Sequence, residues 1–272
     1  MLKTETRSTE KVLMTGGVGF IGSHLVDILM FRGANVCVFD NLTAGTLQNN
    51  RQWLDSPNLT FIKGDLLNPS DIKKLEEEHY DLVFHLAANP EVRVGSTSPD
   101  IHYKQNVSAT YNLLETARKA GNVKTIIFTS SSTIYGEDSK IPTPEDYAPL
   151  KPISIYGASK LASEALISAY AYTYGFKATI YRLANIVGPR NKHGVIHDFI
   201  QKLRKNPKQI LPTHKRLHRS HVVRIREILC KSSRRSAHYT PSMILIGPIS
   251  LAPSPSYTSH APVLSSPISH PP

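Results

Sequence analysis

The chain has 272 residues, 40% hydrophobic and 19% charged, enough to bury a sizeable core as one large domain or two smaller ones. Two cysteines, Cys37 and Cys230, exclude a disulfide framework, and the absence of an apolar leader in residues 1–11 or of a run near the roughly 20 apolar residues of a membrane span predicts a cytoplasmic chain with no membrane partner. The net charge of +11 does not argue for nucleic acid, because residues 1–201 balance at 20 bases and 20 acids while 12 Lys and Arg crowd the part from 202 onward against Glu227 alone.

The first element is the one the rest is organised around. A short apolar run from Val12 enters a turn holding Gly16, Gly17, Gly19 and Gly22. It leaves as an amphipathic helix with Ile21, Leu25, Ile28 and Leu29 on one face and Gly33 as its stop. Strand, glycine turn and helix are the context in which a Gly-rich match carries meaning. Without Cβ atoms the turn can approach a pyrophosphate, which then sits on the N–H groups and positive dipole end of the helix. Gly16, Gly19 and Gly22 have the G-x-x-G-x-x-G spacing, with Phe20 and Ile21 between the last two. Val36 to Phe39 reads as a second strand ending in Asp40 and Asn41. A carboxylate there can accept hydrogen bonds from an adenosine ribose, which favours NAD over its phosphorylated form.

Leu59–Lys63 is the third strand, followed by the turn Gly64-Asp65-Leu66 and a helix over 70–78. The fourth strand, 81–85, ends in Leu86, Ala87 and Ala88, small enough for a flat ring system to lie on the backbone. A helical stretch covers 99–120, a fifth strand 123–129, a helix 154–174 and a sixth strand 176–183. The alternation predicts an α/β fold, a doubly wound parallel sheet of Rossmann type with ligands beyond the carboxyl ends of its strands.

Tyr156 and Lys160 lie four residues apart, on one helix face and about 6 Å apart along the axis. A nearby ammonium and a cationic nicotinamide both favour the phenolate, turning a phenol with a pKa of roughly 10 into a usable general base. A hydroxyl partner is expected from the Ser-rich end of the fifth strand, 130–133, and spacing alone does not choose among its members.

Taken together, the turn Thr15–Gly22, Asp40, the Ser-rich strand end and Tyr156-x-x-x-Lys160 resemble extended short-chain dehydrogenases/reductases, nearest the NAD-dependent epimerase/dehydratase family acting on nucleotide sugars. His85 to Arg93 is similar in particular to UDP-glucose 4-epimerases. The resemblance covers about residues 11–205. It implies Ser131 as the catalytic hydroxyl beside Tyr156 and Lys160, with Asp65 and Leu66 flanking the adenine and Asn106 near the cofactor. It further implies Thr133 on the substrate and Asn185 against its diphosphate. Family members that dehydrate carry an acid just after the catalytic hydroxyl; here Ser132 and Thr133 stand there, which favours epimerisation of a UDP-hexose with NAD as the cofactor and no metal. A non-catalytic NAD-binding sensor or scaffold, and another nucleotide-sugar dehydrogenase, are the alternatives. A homodimer through helices 99–120 and 154–174 is implied as well.

The expected organisation is a dinucleotide-binding domain over 1–190, the start of a substrate lobe over 191–211, and a tail over 212–272. The tail is basic, with eight prolines among Ser, Ile and His after 238, and does not resemble a substrate lobe. A shifted reading frame, a truncated gene or disorder accounts for it more simply than a basic RNA-binding arm or metal ligation by His214, His218 and His221.

Overall fold

The computed structural model describes residues 10–137, 142–192 and 195–205; the tail over 212–272 and Cys230 lie outside them. The chain runs β1 (Lys11–Thr15), α1 (Phe20–Phe31), β2 (Asn35–Asp40), β3 (Leu59–Lys63), α2 (Pro69–Glu76), β4 (Leu82–His85), α3 (Pro99–His102), α4 (Ala109–Ala120), β5 (Thr125–Ser131), α5 (Ile155–Tyr174), β6 (Lys177–Leu183) and α6 (Val195–Lys205). The six described strands form one parallel sheet in the order β3-β2-β1-β4-β5-β6. The order reverses between β1 and β4, which opens a crevice at their carboxyl ends.

Strand residues alternate between two cores, as the period of two requires. Val12, Met14, Val36 and Val38 pack with Val26 and Met30 of α1. Leu13, Cys37 and Phe39 face the other way, onto Leu75 of α2, Leu113 and Leu114 of α4 and Ile167 of α5. Burying an apolar side chain of this size stabilises by about 1.5–3 kcal/mol, so each face is held by several such contacts. At the sheet's edge β6 has no fully buried residue, in contrast to β2. Cys37 is a free, buried thiol within the core. No helix of the described residues is long and apolar enough to cross a membrane.

The sequence predicts one helical stretch over 99–120, and the structure has it, widened in its middle. A π-helical segment, Tyr103–Ser108, separates α3 from α4. The carbonyl of Asn106 accepts from Thr110 Oγ1 at 2.6 Å and from Ser163 Oγ at 3.4 Å. Side chains thus take over an acceptor of the backbone ladder and allow the wider turn. Two 3₁₀ helices, Leu47–Trp53 and Val92–Ser96, fall in stretches whose periodicity is too short to announce them. One carboxylate stitches three of these regions together. Asp27 on α1 is buried and accepts from Gln52 Nε2, Trp53 Nε1 and Arg190 NH2 at 2.8, 2.8 and 2.7 Å.

Candidate active site

A cavity of about 530 Å³ opens at the carboxyl ends of the strands. Gly16, Gly19, Phe20, Ile21 and Gly22 form one wall. The need for glycine here is geometric. Gly16 has φ +73°, and a Cβ on it would lie 2.7 Å from Ala87 N; a Cβ on Gly22 would lie 2.2 Å from Gly16 O. The turn can therefore close only without side chains. Gly19 begins α1 with no side-chain cap and no acid in the first turn, so the helix offers uncompensated N–H groups and its positive end to an anion.

Asp40 closes the next stretch of wall. Its Oδ2 accepts from Val18 N–H at 3.3 Å and its Oδ1 from Leu42 N–H at 2.9 Å. Burial pushes its carboxyl above the ordinary range, against the pull of those two donors. Beside it Asn41 Nδ2 donates to Asp65 Oδ2 at 3.0 Å, and Leu67 N–H reaches Asp65 Oδ1 at 2.8 Å. Asn112 Nδ2 donates to Leu66 O at 2.7 Å. These bonds hold two strand-end turns open around one slot. Leu86, Ala87 and Ala88 floor it.

At the other end stand Ser131, Thr133, Tyr156, Lys160 and Asn185. α5 starts close against β5 because Ser154 caps it, accepting from Gly157 N–H at 3.0 Å, and because Gly157 leaves room; a Cβ there would lie 2.8 Å from Thr133 O. Ser131 Oγ accepts from Thr133 N–H at 3.2 Å and from Thr133 Oγ1 at 3.0 Å, and it shares a hydrogen bond with the Tyr156 phenol. Burial pushes that phenol up, and the Ser131 bond draws it part of the way back. Lys160 is fully buried. Its Nζ donates to Thr129 O at 2.8 Å and lies 4.6 Å from the Phe128 ring centre. Desolvation pushes the ammonium down to about 7, with Glu164 one turn along the helix resisting. His85 beneath is neutral: burial and Lys160 push it to about 3, while Thr15 Oγ1 and Thr110 Oγ1 bond its two nitrogens at 2.8 and 2.9 Å.

One electrostatic expectation changes. The sequence suggests that Lys160 draws Tyr156 toward ionisation, yet here its ammonium is engaged by the Thr129 carbonyl and the phenol is governed by burial and Ser131. Asn106 also differs in role. It does not line the cavity; its side chain accepts from Asn89 N–H at 2.8 Å and donates to Ser159 Oγ at 2.9 Å. Every other candidate named from the sequence does line it. Thr43, Asn49, Arg190 and Lys192 line it too, and no spacing pattern singles them out. Among the described residues no group of three or more His, Cys, Asp or Glu could hold a metal.

A family model described as the NAD dependent epimerase/dehydratase family matches residues 12–223. A putative UDP-glucose 4-epimerase of Methanocaldococcus jannaschii is 35% identical over 204 residues, which are 74% of this chain and 65% of that protein. A crystal structure of a UDP-galactose 4-epimerase superimposes with a TM-score of 0.65 at 48% identity, covering 72% of this chain and 63% of the other. That of the Thermus thermophilus UDP-glucose 4-epimerase in complex with NAD does so at 0.66 and 36%, with coverages of 72% and 63%. Other matches are named UDP-glucuronate 4-epimerase and UDP-N-acetylglucosamine 4-epimerase. This chain spans under two thirds of the length of these proteins.

Proposed function

The chain belongs to the NAD-dependent epimerase/dehydratase family, and from that premise we propose that it is a nucleotide-sugar 4-epimerase acting on a UDP-hexose of the glucose/galactose type. The observation that carries this reading is the shared cavity: a glycine turn and Asp40 at one end, Ser131, Tyr156 and Lys160 at the other. The cradle fits the cofactor, since the turn tolerates no Cβ and α1 presents an uncapped N-terminus toward a pyrophosphate. Gly16, Gly19, Phe20, Ile21, Gly22, Asp40, Asn41, Asp65, Leu66, Leu86, Ala87 and Ala88 would hold NAD, which supplies a reversible hydride acceptor for sugar C4.

Tyr156 exchanges the proton of the sugar 4-oxygen, passing it across the hydrogen bond it shares with Ser131. Ser131 and Thr133 hold that oxygen as it gains carbonyl character. Lys160, held by Thr129 O at 2.8 Å, would bind the ribose hydroxyls of the cofactor. Asn185 meets the substrate diphosphate. Ser132 and Thr133 offer no carboxylate at the position where an elimination catalyst would stand, so oxidation and re-reduction at one carbon is the chemistry left. In this reading the chain pairs as a homodimer through 99–120 and 154–174, where Tyr103, Tyr111 and Tyr174 are exposed.

A second reading is an NAD-binding protein without turnover, favoured by one observation: the Lys160 ammonium is engaged by the Thr129 carbonyl, and the Tyr156 phenol is pushed up by burial. Incubating the purified chain with NAD and UDP-galactose, and assaying UDP-glucose, separates the two. Conversion that Tyr156→Phe abolishes supports the epimerase. Bound NAD without conversion supports the second reading.

A further inference from the structure

His102 belongs to none of the motifs that point to the reaction, yet it is completely buried against the catalytic helix. Its ring meets the Tyr156 ring edge-to-face, with centroids 5.6 Å apart and planes at 66°. Aromatic pairs favour this arrangement, which fixes ring orientation as well as burying area. On its other side the imidazole fills the space left by Gly95: a Cβ there would lie 3.0 Å from His102 Cδ2 and 3.1 Å from Ile155 Cβ. It thus wedges the Val92–Ser96 turn, whose first residue Val92 lines the cavity with nearby Pro90, against the first turn of α5.

Polar contacts reach the same tyrosine by a second route. His102 Nδ1 faces Asn106 Nδ2 at 3.4 Å; Asn106 Nδ2 donates to Ser159 Oγ at 2.9 Å; Ser159 Oγ donates to Tyr156 O at 2.7 Å. Asn106 therefore donates toward Nδ1, and the ring proton resides on Nε2, which has no hydrogen-bond partner among the described residues. The groups facing the imidazole are the Tyr156 ring, the Asn106 amide, and Glu91 with the adjoining backbone. Burial holds it neutral. A neutral ring can cover the phenol without setting a charge beside it.

We propose that His102 is a positioning residue for Tyr156, its ring serving as the wall that orients the phenol toward Ser131 and shields it from water. This deepens the epimerase reading and rests on it, but its test needs no turnover. The ionisation of Tyr156 is followed through its ring carbon resonance in protein with labelled tyrosine, assigned with Tyr156→Phe. In His102→Ala, water enters the polar gap and the Tyr156 midpoint falls by about one pH unit. In His102→Phe the ring wall is kept and the midpoint stays near that of the wild type. Should the alanine variant fail to fold, His102→Gln, which also lacks an aromatic edge, carries the same expected fall. An unchanged midpoint in a cooperatively melting His102→Ala or His102→Gln overturns the proposal, as does an equal fall in His102→Phe. Loss of the epimerase reading would instead show as absent sugar conversion with the midpoint shift intact.

Discussion

Replacing Lys160 with methionine is expected to stabilise the protein while ending the proposed epimerisation. The wild-type ammonium is fully buried, and its pKa falls from an ordinary 10.5 to about 7. At about 1.4 kcal/mol per pH unit, keeping that charge folded withholds about 5 kcal/mol of stability below pH 7. Methionine removes the charge at similar length, but it also loses the 2.8 Å bond to Thr129 O, worth about 1.5–3 kcal/mol for a charged donor. The net gain at pH 6 is about 2–3 kcal/mol, or roughly 5–10 °C in melting temperature for a domain of this size. The unfolded chain keeps this proton up to pH 10.5, whereas the folded chain releases it above about 7. Between those values the unfolded state binds more protons, so wild-type stability rises with pH and the advantage of the variant shrinks. Thermal melts of both proteins from pH 6 to 10.5 test this. A gap that stays constant across that range, or a variant that melts lower at pH 6, refutes the reasoning.

Other substitutions probe the remaining parts. Gly22→Ala drives a methyl to 2.2 Å from Gly16 O, so the turn must open; NAD affinity measured by calorimetry should fall at least tenfold, about 1.4 kcal/mol. Asp40→Asn keeps the shape but removes the carboxylate held by Val18 and Leu42, and the ratio of NADP to NAD dissociation constants should move toward unity. Arg182→Met leaves Glu164, its partner at 2.9 Å and 5% exposed, buried without its ion-pair partner. A loss of about 3–5 kcal/mol in urea unfolding is expected, and a loss under 1 kcal/mol would show that the pair contributes little.

The sheet was legible because its signals are local. A strand that alternates, a glycine turn and a helix with one apolar face follow each other within 22 residues from Val12 to Gly33, and the later strands repeat the pattern. The cavity ends were legible for the same reason: strand termini rich in small or polar residues have few other reasons to be so. What sequence could not reveal is contact across long separations. Asn106 reads as a helical residue near a cofactor, and only the approach of α5 shows its amide committed to Ser159 and Asn89. Arg190 carries no signal until Asp27, 163 residues earlier in the chain, holds it at 2.7 Å. The direction of Lys160 was also hidden, because a shared helix face sets proximity to Tyr156 but not which acceptor the ammonium chooses.

The shared carboxylate of Asp27 gives the molecule an optical property. Trp53 is the chain's one tryptophan, and its indole N–H is bound to the same oxygen pair that holds the guanidinium of Arg190 at the cavity. Whatever draws Arg190 toward a bound phosphate loosens its hold on Asp27 and changes the polarity felt by the indole. Emission from Trp53 is therefore expected to shift as NAD is titrated in, and an unchanged spectrum at saturation would show that Arg190 stays on Asp27.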